Sequence, residues 1–139
     1  LAVVEWLLQD PRIDPSANYN SATKWGIWKG HLAVVERLLQ DPRIDPSADN
    51  NVVTRCASQG GHFAIVEQLL QDPRVDPSAD DSFAFQYASE YGCLAVVERL
   101  LRDPRVDPSA NYNCAIRLAS GNGHLAVVER LLQDPRIDP

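Results

Sequence analysis

The phrase HLAVVERLLQDPRIDPSA begins at His31 and returns with few changes at His62, Cys93 and His124. Each copy starts 31 residues after the one before. A partial copy opens at Leu1 in the same register, because Leu1, Leu32, Phe63, Leu94 and Leu125 share that spacing. Self-similarity at a period of this size marks stacked supersecondary units. One such unit is too small to bury its own apolar face, so neighbouring copies must supply the core, and the chain is expected to form one elongated solenoid. The repeat divides it into a partial unit at 1–17, full units at 18–48, 49–79 and 80–110, and a last unit at 111–139, with no linker between them.

Within a unit the elements follow from local chemistry. Asn20, Asn51, Ser82 and Asn113 precede the first helix, and their short polar side chains suit the cap of a helix start. Gly30, Gly61, Gly92 and Gly123 supply the permissive backbone for a helix end and a tight reversal. A second helix is expected from Leu32 to Gln40, its apolar face formed by Leu32, Val34, Val35, Leu38 and Leu39. Asp41-Pro42 stops it, since the residue before proline is driven out of helical geometry. The stretch that follows, with its second proline at Pro46, suits a short turn or extended arm anchored inward by Ile44, and by Val75, Val106 and Ile137 in the other copies.

Composition narrows the function. A net charge of −6 and a pI ≈ 4.9 disfavour nucleic acid as a partner. Cys56, Cys93 and Cys114 fall at different places in their units, which fits neither a disulfide framework nor a zinc spacing, and points to reduced thiols in the cytoplasm. No apolar run reaches the length of a membrane helix, and no signal peptide is visible. No methionine is present, which is read as the mark of an excerpt from a longer array.

GHLAVVERLL at Gly30 to Leu39 and GHFAIVEQLL at Gly61 to Leu70 resemble the G-H-x-x-V-V-x-x-L-L signature of ankyrin repeats. Gly26, Ala57, Ala88 and Ala119 stand where that family places the alanine that lets its helices approach. The resemblance covers the whole chain and implies an all-α ankyrin-repeat solenoid of stacked helix-turn-helix units with short extended or hairpin connections. Two departures stand out. The family's T-P-L-H helix start is replaced by SATK, VVTR, FAFQ and CAIR, and the period of 31 shortens the hairpin to DPRxDP. Capping is therefore expected to fall on Asn20, Asn51, Ser82 and Asn113.

Two sets of residues invite a catalytic or metal reading. His31, His62 and His124 recur once per unit, and stacked helices lie roughly 8–10 Å apart, too far for a shared ligand bond. The paired aspartates of each arm, Asp41 and Asp45 in the second unit, lack the glycine-bearing loop of a calcium site. Arg43, Arg74, Arg105 and Arg136 sit among them, so ion pairs within an arm or to the next are expected. Every acidic pair is reproduced in each unit, whereas an active site is assembled once from unlike parts. No catalytic residue, cofactor or metal site is assigned, and the chain is expected not to be an enzyme.

The second helix and arm are nearly constant between copies, while the preceding stretch reads SATKWGIWKG, VVTRCASQGG, FAFQYASEYG and CAIRLASGNG. Constant surfaces specify the stack, so the varied helix is where a partner is specified. The ankyrin resemblance implies a concave groove for another protein, lined at the ends of the first helices by Trp28 and Lys29, Gln59 and Gly60, Glu90 and Tyr91, and Gly121 and Asn122. The arm side of the groove would present Tyr19, Asn50, Asp81 and Tyr112. Trp28 is the foremost anchor, with cover of apolar surface at the end of the stack as its other reading. Trp25, Phe85 and Tyr87 are expected in the core. Lys24, Arg55 and Arg117 share one position, giving the helix layer a positive character that suits an acidic partner. Trp6 replaces the arginine or glutamine of other copies, and neither end reads as a polar cap, so end-to-end self-association is a further expectation. The alternative to a binding module is a structural spacer or spring within a longer repeat protein.

Overall fold

The computed structural model describes residues 1–138; Pro139 and the side chain of Tyr19 lie outside the described residues. Among them are nine helices and no strand: α1 (Ala2–Leu8), α2 (Ala17–Trp28), α3 (Leu32–Leu39), α4 (Ala48–Gln59), α5 (Phe63–Leu70), α6 (Ala79–Glu90), α7 (Leu94–Leu101), α8 (Ala110–Gly121) and α9 (Leu125–Leu132). The even-numbered helices are the first helices of their units and form one layer. The odd-numbered second helices form the other. First helices pack on one another more closely than second helices do, which curves the stack toward the first-helix side.

The second helices bury the residues their pattern marks: Val35 and Leu38 in α3, Ile65, Val66 and Leu69 in α5, Val96, Val97, Leu100 and Leu101 in α7. Ile44, Val75, Val106 and Ile137 are all buried, so the arms are anchored as expected. Ala57, Ala88 and Ala119 are fully buried. At Gly26 an added Cβ would lie 3.3 Å from a Val35 methyl, so only a very small residue fits where α2 meets α3.

The glycine turns at Gly30, Gly61 and Gly92 are also inter-unit contacts. Gly61 has a φ of +67°, and a Cβ there would lie 3.0 Å from Cys93 Sγ in the following unit. Gly92, with a φ of +70°, faces the ring of His124 in the same way. The histidine slot thus packs on the turn of the unit before. His124 Nε2 also lies 2.8 Å from the Glu90 carbonyl oxygen.

The entry to the first helix corrects one expectation. Asp49, Asn50 and Asn51 form a single left-handed turn with φ of 52°, 52° and 56°, closed by the Asn51 N–H donating to the Ser47 carbonyl at 3.0 Å. The right-handed part of α4 starts only after it. The same turn recurs at Asp80, Asp81 and Ser82 and at Asn111, Tyr112 and Asn113. Among the described residues, nine of the eleven non-glycine residues with positive φ are Asn or Asp, the side chains that best tolerate this region. Asn20, Asn51, Ser82 and Asn113 do not cap their own helices. Their side chains reach across to the arm that closes their own unit: Asn20 and Asn113 donate through Nδ2 to the carbonyls of Asp45 and Asp138, while Asn51 Oδ1 accepts from the Asp76 N–H at 3.0 Å. Ser82 Oγ accepts from the Asp107 N–H at 3.4 Å. Residues expected to cap their own helix instead fasten its start to the arm at the other end of the same unit.

Candidate partner-binding face

Helical periodicity splits each first helix into a buried and an open side. In α2, Thr23, Gly26 and Ile27 face the core, leaving Ser21, Trp25 and Trp28 to share the open side at i, i+4 and i+7. The same open positions hold Val52, Cys56 and Gln59 in α4, Phe83, Tyr87 and Glu90 in α6, and Cys114, Leu118 and Gly121 in α8. All are exposed or half-buried. The result is a row of aromatic and aliphatic groups running across the inner face of the stack.

Two aromatic pairs stand in this row. Trp25 and Trp28 meet edge to face with ring centroids 5.3 Å apart, and Lys29 Nζ lies 4.9 Å from the Trp28 centroid. Phe83 and Tyr87 pack at 5.8 Å in a tilted arrangement. Beside the first pair lies a recess of ≈ 310 Å³ walled by Ser21, Lys24, Trp25, Trp28 and Cys56. Beside the second, a smaller one of ≈ 210 Å³ lies between α6 and α8 and includes Phe83, Tyr87, Cys114 and Leu118.

Trp25 is 59% exposed, contrary to the expectation of a core position. Phe85, two residues before Tyr87, is buried as expected, and Tyr87 is half-buried. The difference lies in register. Phe85 aligns with the core residues Thr23 and Thr54, whereas Trp25 and Tyr87 align with the half-buried Cys56 and Leu118.

The residues assigned from sequence fall into two rows, one at each end of the first helices. Trp28 ends α2, Gln59 ends α4 and Glu90 ends α6; Lys29, Tyr91 and Asn122 are the residues just beyond α2, α6 and α8. Trp28, Lys29, Gln59, Tyr91 and Asn122 are exposed and Glu90 is half-buried. Asn50, Asp81 and Tyr112 form the second row in the left-handed turns, all exposed. Asn50 Nδ2 donates to Asp80 Oδ1 at 3.0 Å, linking two of those turns. Tyr19 lies outside the described side chains. Between the two rows runs the band of Trp25, Cys56, Tyr87 and Leu118, which the sequence reading did not assign. The spacing of open positions along the helix would have found it.

The charge layers also sharpen. Arg55 lies 3.6 Å from Asp80 and 3.9 Å from Asp49, so the common basic position is neutralised in one of its three occurrences. In the arms, Arg43, Arg74, Arg105 and Arg136 pair with Asp41, Asp72, Asp103 and Asp134 of the same arm at 2.6–2.7 Å. Their guanidiniums also donate to the backbone of the preceding unit; Arg43 reaches the Ile13 and Leu8 carbonyls at 3.0 and 2.9 Å. Arg43 holds the Asp41 carboxyl well below its ordinary value, down to about 2. On the second-helix side Arg37, Arg99 and Arg130 pair with Glu5, Glu67 and Glu98 of the unit before. The arm aspartates are therefore structural clips. Among the described residues no three His, Cys, Asp or Glu side chains are grouped to hold a metal ion.

A curved stack of helix, glycine turn, helix and short arm, repeated every 31 residues, defines a repeat scaffold. The family model described as ankyrin repeats in three copies matches residues 53–139, more than half of the chain, and the protein belongs to the ankyrin-repeat family. Members of this family are generally protein–protein interaction modules and typically not enzymes. A search of curated proteins finds no match. No helix among the described residues is long and apolar enough to cross a membrane.

Proposed function

We propose that the chain is a non-enzymatic binding module that holds a protein partner on the inner face of its first helices. The observation that carries this reading is the exposed aromatic row. Trp25 and Trp28 are 59% and 60% exposed and Tyr91 is 50% exposed. Large aromatic groups dominate the energetics of interfaces when a partner covers them. The assigned residues Trp28, Lys29, Gln59, Glu90, Tyr91 and Asn122 rim one side of this row, and Asn50, Asp81 and Tyr112 rim the other. The proposal includes a cytoplasmic setting, which the free thiols of Cys56, Cys93 and Cys114 support.

The test compares two surfaces. Trp28→Ala with Tyr91→Ala is expected to abolish capture of partners while leaving the thermal melt nearly unchanged, because both side chains are exposed. Substituting Gln40 and Gln71 on the second-helix side should change nothing. Capture that survives the first pair and fails with the second would overturn the reading. A spacer role, the second reading, predicts no specific capture by either surface.

A further inference from the structure

The ion pairs divide the basic residues unevenly. Of the 13 lysines and arginines, nine contact a carboxylate, all of them arginines. The four without such a partner among the described residues are Lys24, Lys29, Arg102 and Arg117. Lys24 and Lys29 are the only lysines in the chain, and they flank Trp25 and Trp28. Lys24 walls the ≈ 310 Å³ recess beside those rings, and Lys29 stands over the Trp28 face. On an acidic protein, two of the four positive charges without a carboxylate partner among the described residues thus stand beside one exposed apolar socket.

We infer that this recess receives an apolar side chain from a partner protein segment whose adjoining residues are Asp or Glu. The inference rests on the reading of the first-helix face as the partner surface, and names the chemistry that surface selects. The rings of Trp25 and Trp28 and the Cys56 side chain give the recess apolar walls, which favour an aliphatic or aromatic anchor once water is displaced. Lys24 in its wall and the Lys29 ammonium over Trp28 attract carboxylates beside that anchor and repel lysine or arginine. A cationic ligand is disfavoured a second way, since Lys29 already sits over the Trp28 ring. Nucleic acid does not suit the face as a whole, because Asp49, Asp80 and Asp81 stand along the entry side of the neighbouring first helices. A lipid surface meets protruding anchors, whereas these rings line a depression.

A displayed library of random peptides panned on the full chain tests this. Enriched peptides are expected to carry one aliphatic or aromatic residue flanked by Asp or Glu. Trp25→Ala with Trp28→Ala should weaken them about tenfold or more. Lys24→Glu with Lys29→Glu should weaken them comparably, and Lys24→Arg with Lys29→Arg should restore binding. Neutral or basic peptides indifferent to the charge reversal would overturn the inference; if Tyr87→Ala still weakened them, the first-helix face would stand as the partner surface. Peptides untouched by Trp25, Trp28 and Tyr87 substitutions would overturn both. Absence of any enrichment, or retention of the chain on phosphatidylserine vesicles in place of peptides, would also overturn the inference.

Discussion

The guanidinium of Arg105 closes two contacts at once. Nε and Nη2 hold Asp103 of its own arm at 2.9 and 2.7 Å, and Nη1 donates to the Val75 carbonyl of the preceding arm at 3.1 Å. An ion pair that looks local in the sequence is a clip between units. Arg105→Ala strands a nearly buried Asp103 carboxylate as well as removing the inter-unit bond. It should lower stability by about 1–2 kcal/mol, while Arg105→Lys recovers little because one ammonium cannot span both contacts. Urea unfolding of the three proteins measures this. An exposed pair without the inter-unit bond would cost about 0–1 kcal/mol.

Acid should loosen the same clips. The Arg43 hydrogen bond lowers the Asp41 carboxyl from 3.8 to about 2, and Asp72, Asp103 and Asp134 are lowered by their own arginines. A folded-state value below the unfolded one means that the stabilisation is full above the unfolded value and is lost as pH falls through the folded value. Denaturation midpoints are expected to hold down to about pH 5 and to fall progressively between about pH 4 and pH 2. In Arg43→Ala the main cause of the Asp41 shift is gone. Its deficit against the parent protein should therefore shrink as the pH is lowered, a trend that titration of the unfolding midpoint reads directly.

Gly61 and Gly123 separate backbone strain from stacking. Both have positive φ, but an added Cβ meets Cys93 Sγ at 3.0 Å in the first case and nothing within 4 Å in the second. Gly123→Ala should cost about 1 kcal/mol, the penalty of a left-handed alanine. Gly61→Ala should cost measurably more, since the sulfur must also shift. Equal losses in chemical denaturation would show that the turn does not transmit the stack.

Tyr112 holds a φ of 56° in the left-handed turn and is 88% exposed. Its equivalents are Asn50 and Asp81, which tolerate this region better. Tyr112→Asn is expected to raise stability by about 0.5–1 kcal/mol despite removing a large side chain. A fall in the melting temperature would mean that the ring packs on something the backbone argument omits.

The units, the glycine reversals, the arm anchors and the arginine–aspartate pairing were legible because each depends on residues close in sequence or on the period itself. The left-handed turns were not, because three successive residues in that region contradict the usual rule that it is visited singly. The visible trace was the Asx-rich triplet at residues 49–51, whose last side chain was read as a cap although its hydrogen-bond partner, Asp76, lies 25 residues away. Trp25 was misread for a related reason. Composition marks tryptophan as core, while the register of Thr23 and Ile27 turns position 25 outward. Both errors come from judging a residue by type before placing it in the repeat.

The central claim is that a protein partner lies on the first-helix face. Photocrosslinking from a single benzoylphenylalanine tests it most directly, with the probe at Gln59 on the inner row in one protein and at Gln71 on the second-helix side in another. Both sites are exposed. A partner adduct from position 59 and none from position 71 is the predicted result; an adduct from position 71 alone would contradict it.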